Sequence, residues 1–393
     1  MGSIKDKVAI IGMGCTKFGE LWDKGQDDLI IEAALEAFED AGIEQKDIEA
    51  AWVGTMFSGD TGRLLSEPLK LNYIPVTRVE NMCATGSDAL RNAAYAVAAG
   101  VYDLVLALGF EKLKDTGWMG LGKVPFPSES RGLIGSQGMT GPSAFALLAT
   151  AYFAKYGLSP QEGKRMIGMI SVKSHSNGAK HPKAHLRREV TIDQVMQAPI
   201  IAWPLGLFDC CGVTDGAAAA ILCRADMAKN FRDDPAYVKA LQISVGQNQG
   251  WCRSDFEFTS VYETVRAGKA AYAEADIKNP REEISMAQVH DCFSITEAVI
   301  MEDLEFSTRG KVKNDIDAGF FELNGGLPVQ TDGGLKSFGH PIGATGLRQM
   351  YETYKQLQGK CGERQLKDPK LGLTHNLGGF PASATVSCCI IGL

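Results

Sequence analysis

The chain has 393 residues, 45% of them hydrophobic and 8% aromatic, enough for two domains of ordinary size or one large two-lobed unit. A formal net charge of -7 without a Lys/Arg cluster leaves no electrostatic footprint for nucleic acid. No apolar run approaches the roughly 20 residues a bilayer span needs, and the opening segment has neither a long apolar region nor, with Asp6, a myristoylation signal, so the expected location is cytoplasmic.

In chain order, the apolar run at 8–12 predicts a first strand, and helical spacing over 28–41 predicts a helix that stops at Gly42. Apolar runs at 51–53, 104–109 and 217–223 alternate with helical stretches, the pattern of strands buried in a layered α/β domain. From about Lys112 to Leu205 the composition turns polar, with Gly, Pro, Ser and a basic stretch from Lys173 to Arg188, which predicts a long insertion covering a site. The second half offers a strand at 286–289, a Gly-rich loop, a helix over 344–357 and terminal strands at 372–375 and 384–392. The two halves read as copies of one plan. Cys83-Ala-Thr-Gly-Ser87 opens a helix in the first, and His340-Pro-Ile-Gly-Ala-Thr-Gly346 opens one in the second.

Four segments carry residue types suited to chemistry. Cys83 precedes small residues and an Ala-rich helix over 88–99, so its thiol is expected near unpaired amides and the positive end of a helix dipole, an environment that favours thiolate. The plainer reading of a cysteine between small residues is packing. His340 lies among glycines at 333, 334, 339, 343 and 346, which permit a tight loop and close ligand approach, although a lone His beside Pro is usually a turn residue. His290-Asp-Cys-Phe293 follows an apolar stretch and so places an imidazole and a thiol at a strand end, against the alternative of a capping Asp291 and a packed Cys292. His375-Asn376-Leu-Gly378-Gly379 supplies a polar pair and two flexible residues between strands, able to offer amides to an oxyanion or to form a simple turn.

The remaining candidates read as structural. The ten cysteines contain no C-x-x-C pair, and Cys210-Cys211 and Cys388-Cys389 are expected to pack as free thiols. His175, His181 and His185 have no metal-like spacing and are expected on a solvated or ligand-facing surface, so no metal site is predicted.

Taken together, Asn81-Met-Cys-Ala-Thr-Gly-Ser87, Gly109-Phe-Glu-Lys-Leu-Lys-Asp115, His290-Asp-Cys-Phe293, the run 333–346 and His375-Asn-Leu-Gly-Gly379 resemble, in order and spacing, the thiolase superfamily and its sterol-carrier-protein branch nearly end to end. The resemblance implies two duplicated βαβαβαββ halves, each with a five-stranded sheet, in a five-layered αβαβα arrangement with a covering loop domain, and a dimer as minimum assembly. Its division of the chain is 1–111 with 206–228 for the first half, 112–205 for the cover and 229–393 for the second half. It implies Cys83 as acyl acceptor, His340 as the base that activates it, and His290 as a ligand of the thioester oxygen through water. Where many relatives have a Cys-x-Gly motif this chain has Asn376, and the acid/base thiol of this branch then falls to Cys292; Gln330 is a second departure, standing where relatives commonly carry Asn. Coenzyme A is the implied co-substrate, with no tightly bound cofactor, and Asn376, Gly378 and Gly379 the implied oxyanion and substrate contacts. The branch also implies a small zinc-ribbon and OB-fold partner subunit, and as specific substrate benzoylsuccinyl-CoA, cleaved to benzoyl-CoA and succinyl-CoA. Competing readings are an acetoacetyl-CoA-forming thiolase coupled to hydroxymethylglutaryl-CoA synthesis, a related condensing enzyme, and a catalytically silent scaffold.

Overall fold

The computed structural model describes residues 3–116, 140–247, 256–381 and 383–393. Its first half runs β1 (Val8–Cys15), α1 (Gln26–Ala41), β2 (Ala50–Gly54), α2 (Arg63–Ser66), β3 (Val76–Val79), α3 (Thr85–Ala98) and β4 (Leu104–Glu111). Helices α4 (Gly141–Lys155), α5 (Pro160–Ala179) and α6 (Ile192–Gln197) and the hairpin β5 (Ile200–Ala202) and β6 (Leu205–Gly206) follow, before β7 (Gly216–Arg224) closes the half. The second half runs β8 (Ala236–Val245), α7 (Tyr262–Ala275), α8 (Pro280–Glu283), β9 (Met286–Gln288), α9 (Ser294–Asp303), α10 (Val312–Asp317), α11 (Gly334–Ser337), α12 (Thr345–Leu357), β10 (Leu371–Phe380) and β11 (Ser383–Gly392).

Nine strands form one sheet in the order β3-β2-β4-β7-β1-β8-β11-β10-β9. The duplication is visible in the pairing. In the first half β2 and β4 are parallel and β7 and β1 antiparallel; in the second, β9 and β10 are parallel and β11 and β8 antiparallel. The halves meet where β1 pairs antiparallel with β8 through Ala9–Tyr237 and Ile10–Ala236. The expected fifth strand of the second half is reduced, among the described residues, to a parallel bridge between Ala287 and Val329, at the place where β3 flanks β2 in the first. Gln330 explains why pairing stops there: it adopts a positive φ of 59° and turns its side-chain amide onto the carbonyl of Val289.

Three apolar clusters define five layers. α1 packs Leu29, Ile30, Ala33 and Phe38 on one face of the first half-sheet. On its other face, α3 (Leu90, Ala94, Val97) and α12 (Leu347, Met350, Tyr354) lie between residues of both half-sheets, Val105 and Ala218 from one and Met286 and Ile391 from the other. α7 and α9 cover the far face of the second half-sheet together with α4 and α5. β4 and β7 read as unbroken apolar runs because this stacking buries both their faces. The segment read as a polar insertion is, where described, mostly helical, and Phe145, Leu148, Met166 and Ile170 of α4 and α5 are fully part of the core; its residues 117–139 lie outside the described residues.

Candidate active site

The chain enters α3 from β3 through a sharp elbow. Met82 stands at a φ of 50°, a conformation that costs a residue with a Cβ about 1–2 kcal/mol, and it is held by its surroundings. The amide of Asn81 donates to Thr85 Oγ1 at 2.8 Å, Asn81 Nδ2 donates to Asp88 Oδ2 at 2.7 Å, and the amide of Met82 donates to Glu80 Oε1 at 2.5 Å. Cys83, the next residue, is half-buried and a free thiol. The backbone of β10 presses on this elbow at Gly378, where an added Cβ would lie 2.6 Å from the carbonyl of Asn81 and 2.9 Å from the amide nitrogen of Cys83. The amide of the following residue, Gly379, donates to the Cys83 sulfur.

His340 arrives from the second half by the equivalent route, ahead of α12. Its Nε2 lies 3.3 Å from Cys83 Sγ and its Nδ1 2.7 Å from Thr345 Oγ1. The Thr345 hydroxyl spends its one proton on the carbonyl of Pro341 at 2.8 Å, so it accepts from His340 Nδ1–H. That tautomer aims the Nε2 lone pair at the thiol, the geometry of a base beside its nucleophile. The two helix mouths approach this closely because only hydrogen atoms stand between them. A Cβ on Gly86 would lie 2.7 Å from the carbonyl oxygen of Gly343, one on Gly109 2.0 Å from that same oxygen, and one on Gly346 2.4 Å from the amide nitrogen of Ser87.

His290 and Cys292 complete the arrangement from the end of β9. The His290 ring meets the His340 ring edge-on at 5.2 Å, and the donor atoms of Cys83, His290 and His340 all lie within 4.8 Å of one another. Cys292 is buried two residues before α9, with Sγ 3.9 Å from Thr296 Oγ1. Between them Asp291 accepts from the amide of Leu335 at 2.7 Å and pairs with the fully buried Lys336 at 3.2 Å. The turn that carries His290 and Cys292 is thereby clamped to the loop that carries His340.

Electrostatics set the resting protonation. Burial, with Glu111 nearby, pushes the Cys83 thiol up to about 12 against the pull of the Gly379 amide, which overturns the expectation that the helix mouth favours thiolate. Burial and the Arg348 guanidinium push His340 down to about 3. Burial, then His340, holds His290 well below the usual imidazole range, and burial raises Cys292 well above the usual thiol range. The desolvation of a buried charge outweighs the helix dipole, so the resting couple is a neutral thiol hydrogen-bonded to a neutral imidazole.

A cysteine at a helix mouth, a base across the seam of a duplicated fold and a second thiol at a strand end define the site independently of any relative. Residues 8–226 match the model of the thiolase N-terminal domain, and residues 247–390 match the thiolase C-terminal domain-like model. The acetyl-CoA acetyltransferase of Methanothermobacter thermautotrophicus is 40% identical over 96% of this chain and 98% of its own length. The chain belongs to the thiolase family. Sterol carrier protein 2 of Gallus gallus is 32% identical over 96% of this chain and 73% of its own. Among solved structures, the Ltp2-ChsH2(DUF35) aldolase superposes with a TM-score of 0.86 at 25% identity, covering 99% of this chain and 98% of that one. The Acat5 thiolase of Ascaris suum in complex with coenzyme A shares the fold at a TM-score of 0.69. This thiolase is accordingly an acyltransferase.

The structure brings Cys83, His290, His340 and the Gly378–Gly379 backbone together, and sets Cys292 close enough for Cys83 to act on its thiol. Asn376 differs from expectation. Its Oδ1 accepts from Ser87 Oγ at 2.7 Å, tying β10 to the first turn of α3, while its Nδ2 is enclosed without a partner. The segment 375–379 lies within β10 and not between strands, and Asp291 accepts from the first-turn amide of Leu335 in α11, so it caps a helix distant in sequence. His175 and His181, expected on a solvated or ligand-facing surface, are 4% and 3% exposed and His185 is half-buried; His175 on α5 meets the ring of Phe208 edge-on, and His181, just past the end of α5, that of Phe338. Cys210, Cys211, Cys388 and Cys389 are free thiols in packed surroundings, as expected. The residues missed were Thr345, Lys336 as the partner of Asp291, and the glycine contacts. The repeated Ala-Thr-Gly at 84–86 and 344–346 was the signal that could have found the first and the last.

Proposed function

We propose that the chain is an acyl-CoA thiolase that cleaves a β-ketoacyl-CoA with coenzyme A, or runs the reverse condensation, through an acyl-enzyme on Cys83. The hydrogen bond between Cys83 Sγ and His340 Nε2 at 3.3 Å carries this reading. His340 takes the thiol proton as sulfur attacks the β-keto carbon, and the amides of Cys83 and Gly379 face the oxyanion that develops. Cys292 protonates the departing carbanion, and His290 holds the thioester oxygen through water. Free coenzyme A then takes the acyl group and the sulfur regains its proton. The segment 112–205 acts as the cover.

For substrate we propose benzoylsuccinyl-CoA, supported by the aromatic face that Phe293, next to Cys292, makes with Phe145 at a ring separation of 4.6 Å. The second reading is acetoacetyl-CoA, supported by the names of the archaeal relatives at 40% and 38% identity. A homodimer core and a small zinc-ribbon and OB-fold partner are part of the proposal, the latter supported by one solved neighbour, the Ltp2-ChsH2(DUF35) aldolase, whose name pairs two components.

Intact-mass measurement after mixing with acyl-CoA tests the reading. An adduct is expected on the wild-type protein and none on Cys83→Ser, whose turnover should fall by at least about 10³-fold. Cys292→Ala should still take the adduct yet lose carbon–carbon cleavage by about 10²–10⁴-fold. Turnover by Cys83→Ser at wild-type rate removes the mechanism, and unchanged cleavage by Cys292→Ala removes that thiol from it. A panel of acetoacetyl-CoA and benzoylsuccinyl-CoA, with and without a co-purified partner, decides the substrate.

A further inference from the structure

Cys83, His290 and His340 form the one group of three or more metal-ligating side chains found among the described residues, and three segments far apart in sequence supply it. We infer that this trio binds a single soft divalent cation of the zinc class, and that a chain holding the metal cannot be acylated. The inference goes beyond the thiolase reading and rests on geometry alone.

Thiolate sulfur and imidazole nitrogen are both zinc ligands, and three protein ligands of these types leave a fourth position open. Zn–S of about 2.3 Å and Zn–N of about 2.0–2.1 Å at tetrahedral angles put ligand atoms roughly 3.3–3.6 Å apart. Cys83 Sγ and His340 Nε2 already stand 3.3 Å apart, and with all three donors inside 4.8 Å the His290 ring needs to close by about 1.5 Å at most. The second shell is also built. Thr345 holds the Nδ1–H of His340 at 2.7 Å and so directs the Nε2 lone pair inward, the arrangement that orients metal-bound histidines. His290 is 1% exposed and its Nδ1 has no hydrogen-bond partner, a buried imidazole whose nitrogen no protein group satisfies. The Glu111 carboxylate, buried close enough to act on the Cys83 sulfur, offsets part of the cation's charge.

Binding balances simply. The cation forms a bond to Cys83 sulfur as the thiol proton leaves to solvent, and it accepts one lone pair from each imidazole; no electron is transferred. The nucleophile's sulfur and the base's nitrogen are then both ligands, so metal and acyl group exclude one another. Hard cations such as Mg²⁺ prefer oxygen and should leave the trio free.

The test is a Co²⁺ titration of the chelator-treated full chain, followed by absorbance. One cobalt per chain is expected, with a thiolate-to-cobalt charge-transfer band that is absent in Cys83→Ser, retained in Cys211→Ser, and seen in His290→Ala only at roughly tenfold or more higher cobalt. Zn²⁺, but not Mg²⁺, should block alkylation of Cys83 by iodoacetamide, and a chelator should restore it. Melting curves of each variant exclude misfolding as the cause. No cobalt uptake by the wild-type chain, or a charge-transfer band that survives in Cys83→Ser, overturns the inference. If the wild-type chain takes an acyl adduct but no cobalt, the metal site is wrong and the thiolase reading stands; if it takes cobalt but no adduct, the reverse holds.

Discussion

The mouths of α3 and α12 are the same device put to two uses. Each helix starts with Thr and Gly after an Ala, at Thr85–Gly86 and Thr345–Gly346, and each second-position glycine packs on the backbone of the other helix mouth. In the first half Thr85 Oγ1 accepts from the amide of Asn81 and stiffens the elbow; in the second Thr345 Oγ1 accepts from the side chain of His340 and fixes a tautomer. The residue before Ala84 is Cys83, and the residue before Ala344 is Gly343. The two-fold frame is shared, and the copies differ in what they carry: one mouth holds the Cys83 thiol, the other has a glycine at the equivalent position and brings the His340 imidazole from three residues upstream.

That comparison can be broken most severely at the glycines. Gly346→Ala places a Cβ 2.4 Å from both Ser87 N and Ser87 Oγ, so the two mouths must part. Overpacking of this kind costs about 1–3 kcal/mol, and a shift of about 1 Å between nucleophile and base costs about 10²-fold in rate. Melting temperature and kcat/KM measured together check both; a variant with wild-type kcat/KM would show that the close approach is not what aligns Cys83 with His340.

The two threonines give a smaller and more selective contrast. Thr345→Val leaves His340 Nδ1–H buried without an acceptor, a loss of about 1–3 kcal/mol. We expect kcat to fall about 10–100-fold with KM little changed and Thr345→Ser to restore it. Thr85→Val should cost about 1–2 kcal/mol of stability through the Asn81 amide and less than about tenfold in kcat. Equal losses of kcat at both sites would mean that Thr345 supports the loop only and does not orient the base.

Much of this frame was legible in the sequence. Strands such as β4 and β7 are buried on both faces and wrote themselves as continuous apolar runs, and α1 ends at Gly42, whose φ of 70° suits glycine. β8 was missed because it alternates buried and half-buried residues along AYVKALQISV, and β3 because its four residues are not fully buried. Cys83, His290, Cys292 and His340 were picked out by residue type at expected strand and helix ends, and the structure places them near one another. Their pKa values were not legible, since a sequence shows the helix dipole beside Cys83 but not the burial that outweighs it. The histidines at 175, on α5, and 181, just past its end, misled for the same reason: the segment carries many polar residues, yet Lys173 with Glu297 and Lys164 with Asp209 pair inside the protein, so the polar face of α5 is an interior one.

The imidazoles supply a test by pH, and it separates the Cys83–His340 pair from the fold. All six imidazoles are held below their usual range, with His181, His340 and His375 at about 3, each mainly by burial. An unfolded chain takes up these protons near pH 6.5 while the folded one refuses them, so stability is full above about pH 6.5 and declines as pH falls toward 3. Each of the three should lose about 1 kcal/mol between pH 6.5 and 5.5. Asp303, raised to about 6, and Glu111 and Glu297, also raised, act in the opposite sense and become stabilising as they protonate, so they blunt the decline at its lower end. Denaturant midpoints at pH 7.5, 6.5 and 5.5 should therefore decrease, whereas the rate of Cys83 acylation, measured where the protein is still folded, should show no limb near pH 6.5, because His340 is already neutral there. An acid limb in acylation centred near 6.5 would mean that the imidazole at 340 keeps its ordinary basicity, and that the second helix mouth is wetter than the packing of Gly86, Gly343 and Gly346 allows.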